Sequence, residues 1–78
     1  LTYIMALENV GSLDASDVEI VDNLPSTFAL KDTNAILVNN ISTTNYSFDS
    51  TTSILKIYVP VVKAGSKLEI KINGSIVR

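Results

Sequence analysis

The chain has 78 residues, of which 46% are hydrophobic and 18% are charged, with eight acidic residues against six basic ones. A chain this short forms one domain with a thin core, because small domains bury only about 60% of their unfolded surface. The apolar fraction excludes a disordered segment, and no run of about 18 apolar residues is present to insert into a membrane as a helix. A sequence pI of about 4.7, without a basic stripe, argues against nucleic acid as a partner.

The missing residue types narrow the chemistry. Without Cys the chain has no disulfide and no thiolate nucleophile or ligand, and without His it lacks the usual general base at neutral pH. The composition therefore predicts a protein that is not an enzyme and has no cofactor. Because the chain opens at Leu1 directly into apolar sequence, with no signal-peptide pattern, we expect residues 1–78 to be a single domain cut from a longer protein.

Apolar residues recur with a period of two through most of the chain, which is the spacing of β-strands. Turn signals separate the alternating segments at intervals of roughly eight to twelve residues, as in β-sandwiches. No window of ten residues shows apolar spacing typical of a helix. The alternating segments, in chain order, are 3–8, 17–22, 28–30, 35–38, 46–48, 54–59 and 67–72.

These patterns predict an all-β, antiparallel sandwich of about six to seven short strands. Pro60 is expected at a strand end, at an edge or at a crossover between sheets, because proline cannot donate to a ladder. Asn73-Gly74 is a strong hairpin or bulge signal. The predicted core residues are Tyr3, Met5, Leu7, Val18, Ile20, Phe28, Ile57, Val59, Leu68, Ile70 and Ile72.

The order of these features resembles a conserved repeat domain of bacterial and archaeal cell-surface proteins, the type known as domain of unknown function eleven. The resemblance is carried by the strand and Asn-x-Gly turn at 3–11, Val-x-Ile-Val with Asp-x-Leu-Pro at 18–25, and the Ala-Gly-Ser turn and final strand at 62–72. It covers essentially the whole chain, with a first strand missing before Leu1. Ile57 stands where that family often has a core Trp.

The resemblance implies an immunoglobulin-like sandwich that serves as a structural spacer in secreted, cell-wall or cell-surface proteins of adhesive function. Its expected partners are neighbouring repeats of the same chain, with a host or matrix protein or a glycan as further partners. In this sequence the expected turn-forming residues are Asn9 and Asp22, whose side chains bond nearby amides, Gly11 and Gly65, which adopt unusual backbone angles, and Pro25.

Three alternatives remain open from the residues alone. The Ser, Thr and Asn-rich segment 42–53, or an exposed edge strand, would make the domain an adhesive binding module rather than a spacer. Calcium is a further possibility, because Asp14, Asp17 and Asp22 flank neighbouring turns and calcium binds clustered oxygens. Charge is also uneven: six acids and one base precede Thr33, whereas two acids and five bases follow from there. That asymmetry favours pairing across strands or attraction between successive repeats.

Overall fold

The structure is a computed structural model that describes residues 1–77, and those residues form strands and turns without a helix. Alternating apolar residues form the long strands, and Asn39 and Asn40, which both have positive φ, form a two-residue turn. The strands are β1 (Thr2–Glu8), β2 (Ala15–Asn23), β3 (Phe28–Leu30), β4 (Ile36–Val38), β5 (Ile41–Ser42), β6 (Tyr46–Asp49), β7 (Ile54–Val62) and β8 (Lys67–Ile76).

The strands form two antiparallel sheets packed face to face. In the large sheet the order is β1-β8-β4-β5, and β3 pairs with β8 beyond β4. In the small sheet the order is β2-β7-β6. The chain therefore changes sheet after β1, β2, β5 and β7. The predicted all-β antiparallel sandwich is confirmed.

Eight strands occur among the described residues rather than the six to seven predicted. The strand that the sequence did not indicate is β5, which has two residues and no alternation to detect. It exists because Asn39 and Asn40 both adopt positive φ, 51° and 66°, and so form a two-residue hairpin turn between Val38 and Ile41. Asn tolerates this conformation better than other residues with a side chain.

The core lies between the sheets and is built mainly on their central strands. In β8, Leu68, Ile70 and Ile72 point inward, and the charged residues between them do not. Burying each such side chain stabilises the fold by about 1.5–3 kcal/mol. The buried hydrophobic residues are Leu24, Phe28, Ala35, Ile36, Leu55, Ile57, Val59, Val62, Leu68, Ile70 and Ile72.

The predicted core is confirmed on the central strands but not on β1. Phe28 and the predicted residues of β7 and β8 are buried, while Met5, Val18 and Ile20 are partly buried against them. Tyr3 and Leu7, in contrast, are exposed at 36% and 41%.

Tyr3 and Leu7 do face the interior, since they pair in register with the buried residues Ile72 and Leu68. They remain exposed because β1 and β2 are the edge strands on one side of the sandwich, and no further strand of residues 1–77 closes that side.

Pro60 lies inside β7, which continues to Val62, and not at a strand end or crossover. It agrees with the third expected place, an edge, because β6 pairs only with residues 54–57 of β7. The Tyr58 N–H donates to the Asn45 carbonyl at 3.0 Å, on the side of β7 where β6 lies. Because every second residue of a strand points its N–H to the same side, the Pro60 nitrogen also faces that side, at a point that β6 does not reach. The missing N–H therefore costs no ladder bond. Opposite Pro60, Asp17 adopts a φ of 52° and interrupts the pairing of β2 with β7.

Asn73-Gly74 is part of the continuous strand β8, in unbroken register with β1, and forms neither the predicted hairpin nor a bulge. The Gly74 N–H donates to the Leu1 carbonyl at 3.0 Å on the β1 side. On the other side β3 approaches so closely that a Cβ at Gly74 would overlap the Ala29 carbonyl oxygen and the Phe28 ring. The glycine is required by this close approach rather than by a turn.

The two ends of the described chain lie together. The Leu1 amino group donates to the Gly74 carbonyl at 3.0 Å, and Gly74 returns a hydrogen bond of the same length. Because β1 and β8 run antiparallel, residues 1 and 77 leave the sheet at the same end. The domain is elongated, with dimensions of 45 × 22 × 18 Å.

Candidate functional site

The acidic residues that could have bound calcium are dispersed. The Asp14 carboxylate accepts the Ala64 N–H at 2.8 Å and so joins the β1–β2 loop to the β7–β8 turn. Asp17 lies at the interruption opposite Pro60, and Asp22 lies near the far end of β2. Within residues 1–77 no three acidic side chains are grouped to hold a metal ion. The geometry of the described residues gives no support to a calcium site.

The segment 42–53 is a strand and a tight turn rather than an open loop. Its predicted short strand through Tyr46 and Phe48 is confirmed as β6, and both rings pack against the core. The Asn45 amide donates to the Tyr58 carbonyl at 3.0 Å, and the Asp49 carboxylate accepts the Thr51 N–H at 2.9 Å. Asn45 therefore ties the segment to β7, and Asp49 holds the turn that follows β6, which leaves fewer side-chain groups to contact a ligand.

Asn9 holds the β1–β2 loop to the end of β7 and to the β7–β8 turn, as the turn prediction expected. Its amide nitrogen donates to the Leu13 carbonyl at 3.0 Å and to the Val62 carbonyl at 2.9 Å. Its side-chain oxygen accepts the Gly11 N–H at 3.0 Å, and its own carbonyl accepts the Gly65 N–H at 2.8 Å. Every polar atom of the side chain therefore has a partner.

Two other expected turn residues behave as predicted, and one does not. Gly65 has a φ of 74°, and the Pro25 carbonyl accepts the Phe28 N–H at 2.9 Å to close a four-residue turn. Gly11 does not have positive φ. A Cβ there would instead lie 3.3 Å from the Asn9 side-chain oxygen, so compactness of the loop favours glycine.

Asp22 departs from its expected role as a turn residue. Its side chain has no hydrogen-bond partner among residues 1–77 and lies within β2, in register with Leu55. Since Leu55 is fully buried, this register places Asp22 on the inner face of the small sheet, where it is partly exposed. It lines a cavity together with Tyr3, Met5 and Leu24.

The cavity beside Asp22 is one part of a cleft along the open side of the sandwich, which we call the β1–β2 cleft. One cavity of about 290 Å³ lies towards Tyr3 and Leu24, and a second of about 400 Å³ lies towards Leu7 and Ile20. The walls are apolar because they are the inner faces of the two edge strands. The apolar residues that line the two cavities are Tyr3, Ile4, Met5, Leu7, Ala15, Val18, Ile20, Leu24, Pro25, Val62 and Leu68.

Carboxylates surround this apolar surface. Asp22 lines the first cavity, and Glu8 and Glu19 line the second. Glu8 pairs in register with Lys67, whereas Glu19 pairs with Tyr58 and Asp22 with Leu55, which leaves two of the three acids without a basic neighbour across the strand. The cleft combines an apolar floor with a negative rim.

Comparisons with protein-family models, curated proteins and solved structures find no match to this chain. Among the described residues, no helix is long and apolar enough to cross a membrane. The β1–β2 cleft is therefore identified by its own geometry. The sequence signal for it is Asp22, an acidic residue at an inward position of an otherwise alternating strand.

Proposed function

We propose that this domain is a non-catalytic structural or spacer domain, immunoglobulin-like in type, of a bacterial cell-surface protein with adhesin-like function. The observation that carries the proposal is how the polar side chains are used. Asn9 and Asp14 bind backbone groups at the end of β7 and in the turn that follows it. Asn45 binds a backbone carbonyl of β7, and Asp49 binds an N–H of its own turn, so these side chains fix the connections of the sandwich.

The ordered set of turn motifs that resembles the surface repeat domain supports the same role. Because residues 1 and 77 lie at one end, the domain would project from its attachment point rather than continue a straight rod. Its width, more than its length, would then set the distance between its neighbours in the chain.

The alternative in which the 42–53 segment binds a ligand receives less support, since Asn45 and Asp49 are engaged in local hydrogen bonds.

An exchange experiment tests the spacer role. In the parent protein, residues 2–76 are replaced by an unrelated β-sandwich of similar size whose ends also lie together. We expect the parent to remain on the cell surface, measured by antibody labelling of intact cells, and to retain its adhesion. Loss of adhesion with normal surface display would contradict the proposal.

A further inference from the structure

The edge strands of the sandwich differ in how well they resist the addition of another strand. An open strand edge pairs with other chains unless shortness, charge, proline or a bulge prevents it. β3 and β5 have three and two residues, and β6 has four and ends in Asp49. β2 has nine residues, but it carries three acids and is interrupted at Asp17. β1 has seven residues, is regularly paired and has no charge before Glu8.

The backbone of β1 offers free hydrogen-bonding groups on its outer edge. Leu1 and Gly74 exchange both hydrogen bonds, so the odd-numbered residues of β1 direct their N–H and C=O groups towards β8. The even-numbered residues, including Ile4 and Ala6, direct theirs away from it. No other strand of residues 1–77 pairs with that edge.

Side chains of a strand added at this edge would alternate between the solvent and the β1–β2 cleft. The inward ones would lie beside Leu7, Met5 and Tyr3, where the cavities of about 400 and 290 Å³ are open. Aliphatic side chains suit the positions beside Leu7 and Met5, because Val18 and Ile20 face them from β2. The position beside Tyr3 also faces the Asp22 carboxylate, which suits a basic side chain.

We propose that the β1–β2 cleft is a docking site for an extended segment of another polypeptide, which adds as a strand to β1 and carries alternating aliphatic residues and a basic residue beside Asp22. This goes beyond a spacer role, which requires no docked partner. The main-chain bonds to β1 provide affinity, and the inward side chains provide specificity.

Charge argues for a basic partner strand and against a second copy of this domain. β1 itself has no basic residue, so two copies joined through β1 would leave both Asp22 side chains unpaired. Such a dimer would also bring the Glu8, Glu19 and Asp22 carboxylates of both copies close together. Charged groups arranged in complementary sets select the right partner, and like charges exclude the wrong one.

The test uses the 78-residue chain and a capped peptide, Lys-Val-Thr-Val-Thr-Lys-Thr, whose inward positions match this pattern when it runs antiparallel to β1. Binding is measured by fluorescence polarisation of the labelled peptide and by amide chemical shifts of the protein. We expect saturable binding, shifts at Ile4 and Ala6, and weaker binding as salt is added. A peptide with both Lys replaced by Glu should not bind.

Two variants and one control locate the site. Ala6→Pro removes only an outward N–H of β1 and should weaken peptide binding by about tenfold or more. Asp22→Asn removes the negative charge and should weaken peptide binding by about threefold or more and reduce the salt dependence of the affinity. Val21→Pro is the control. The Leu24 N–H donates to the Ser53 carbonyl, and N–H groups of successive residues point to opposite edges of a strand, so the Val21 N–H points to the open edge of β2. Its affinity should be unchanged. Thermal unfolding confirms that each variant folds.

Any of three results would overturn the proposal. The first is no binding at millimolar peptide, and the second is binding that neither Ala6→Pro nor Asp22→Asn weakens. The third is a concentration-dependent dimer of the protein alone, in sedimentation, that Ala6→Pro abolishes. That result would identify a second copy as the occupant.

Discussion

Gly74 and Gly65 are both required, but for different physical reasons. A side chain at Gly74 would overlap the backbone of β3, whereas at Gly65 no atom lies within 4 Å of an added Cβ and the cost is the positive φ alone. We predict that Gly74→Ala lowers the free energy of unfolding by about 3 kcal/mol or more, as overpacking against a backbone does. Gly65→Ala should cost about 1–2 kcal/mol.

Urea unfolding of both variants, followed by circular dichroism, measures the difference in the free energy of unfolding. Gly65→Asn is a useful companion, because Asn tolerates positive φ and should cost less than Ala. Equal losses for Gly74→Ala and Gly65→Ala would contradict the close approach of β3.

Asn9 shows how one side chain can stabilise its own loop and tie that loop to a neighbouring strand. Asn9→Ala removes three hydrogen bonds, including one to the partly buried Val62 carbonyl, and we predict a loss of about 2–3 kcal/mol. Asn9→Asp keeps the acceptor for Gly11 but replaces a donor to two carbonyls with a second acceptor. It should therefore be at least as destabilising.

Thermal unfolding monitored by circular dichroism checks the Asn9 prediction. Asn23→Ala is the matched control, since Asn23 is exposed and its side chain makes no hydrogen bond among the described residues. The control should change the free energy of unfolding by no more than about 0.5 kcal/mol. If Asn9→Asp were as stable as the native chain, the role of the two donated bonds would be refuted.

At the scale of the strands, β7 is the centre of the small sheet and Ile57 is the centre of β7. Ile57 pairs with Ile20 on one side and Tyr46 on the other, and it is fully buried. We predict losses of about 0.5–1.5 kcal/mol for Ile57→Val and about 2–5 kcal/mol for Ile57→Ala. Ile57→Trp should also destabilise, by about 1–3 kcal/mol, because Ile57 is fully buried and a larger side chain would have to displace its neighbours.

Chemical denaturation of the three Ile57 variants gives the comparison, with the exposed Val21→Ala as control. A neutral or stabilising Ile57→Trp would show that the core has unfilled volume at the position where the resembling family carries Trp.

The sequence best predicts the strands in which apolar residues on one face alternate with polar residues on the other. In β8, the alternation around Ile70 predicts the strand and its buried face correctly. The same pattern predicts the direction of Leu7 but not its exposure, because exposure depends on whether a strand of the other sheet covers it. A local pattern contains no such information.

Asn73-Gly74 was predicted as a hairpin or bulge, and Pro60 as a strand end, an edge or a crossover, from local sequence alone. Both occur inside strands, because the tertiary arrangement supplies what the local rule omits. At Gly74, the close approach of β3 requires a glycine inside the strand. At Pro60, no residue of β6 lies opposite, so the missing N–H breaks no hydrogen bond. The β1–β2 cleft exists because β1 and β2 lie at the edges of their sheets on the same side of the sandwich. Asp22 was predicted to be a turn residue, but its inward position, in step with Val18 and Ile20, is the signal that could have indicated the cleft.

At the scale of the whole molecule, the shared location of residues 1 and 77 determines how tension would act on the fold. Pulling the chain by its ends would separate β1 from β8 one hydrogen-bonded pair at a time, starting at Leu1 and Gly74. Pulling between residue 1 and the start of β8 would instead load the whole ladder at once. We predict a clearly lower unfolding force for the first geometry.

Single-molecule force measurements can compare the two geometries. Because the chain has no Cys, Lys67→Cys provides a unique handle at the start of β8. Similar forces in both pulling directions would contradict unzipping as the mechanism.

The consequence concerns extension. Stretched out, 78 residues reach roughly 250 Å, several times the 45 Å length of the folded domain. A protein that contains such a domain would therefore lengthen when tension unzips β1 from β8. The end-to-end pairing of Leu1 and Gly74 would make each domain an extensible element rather than a stiff one.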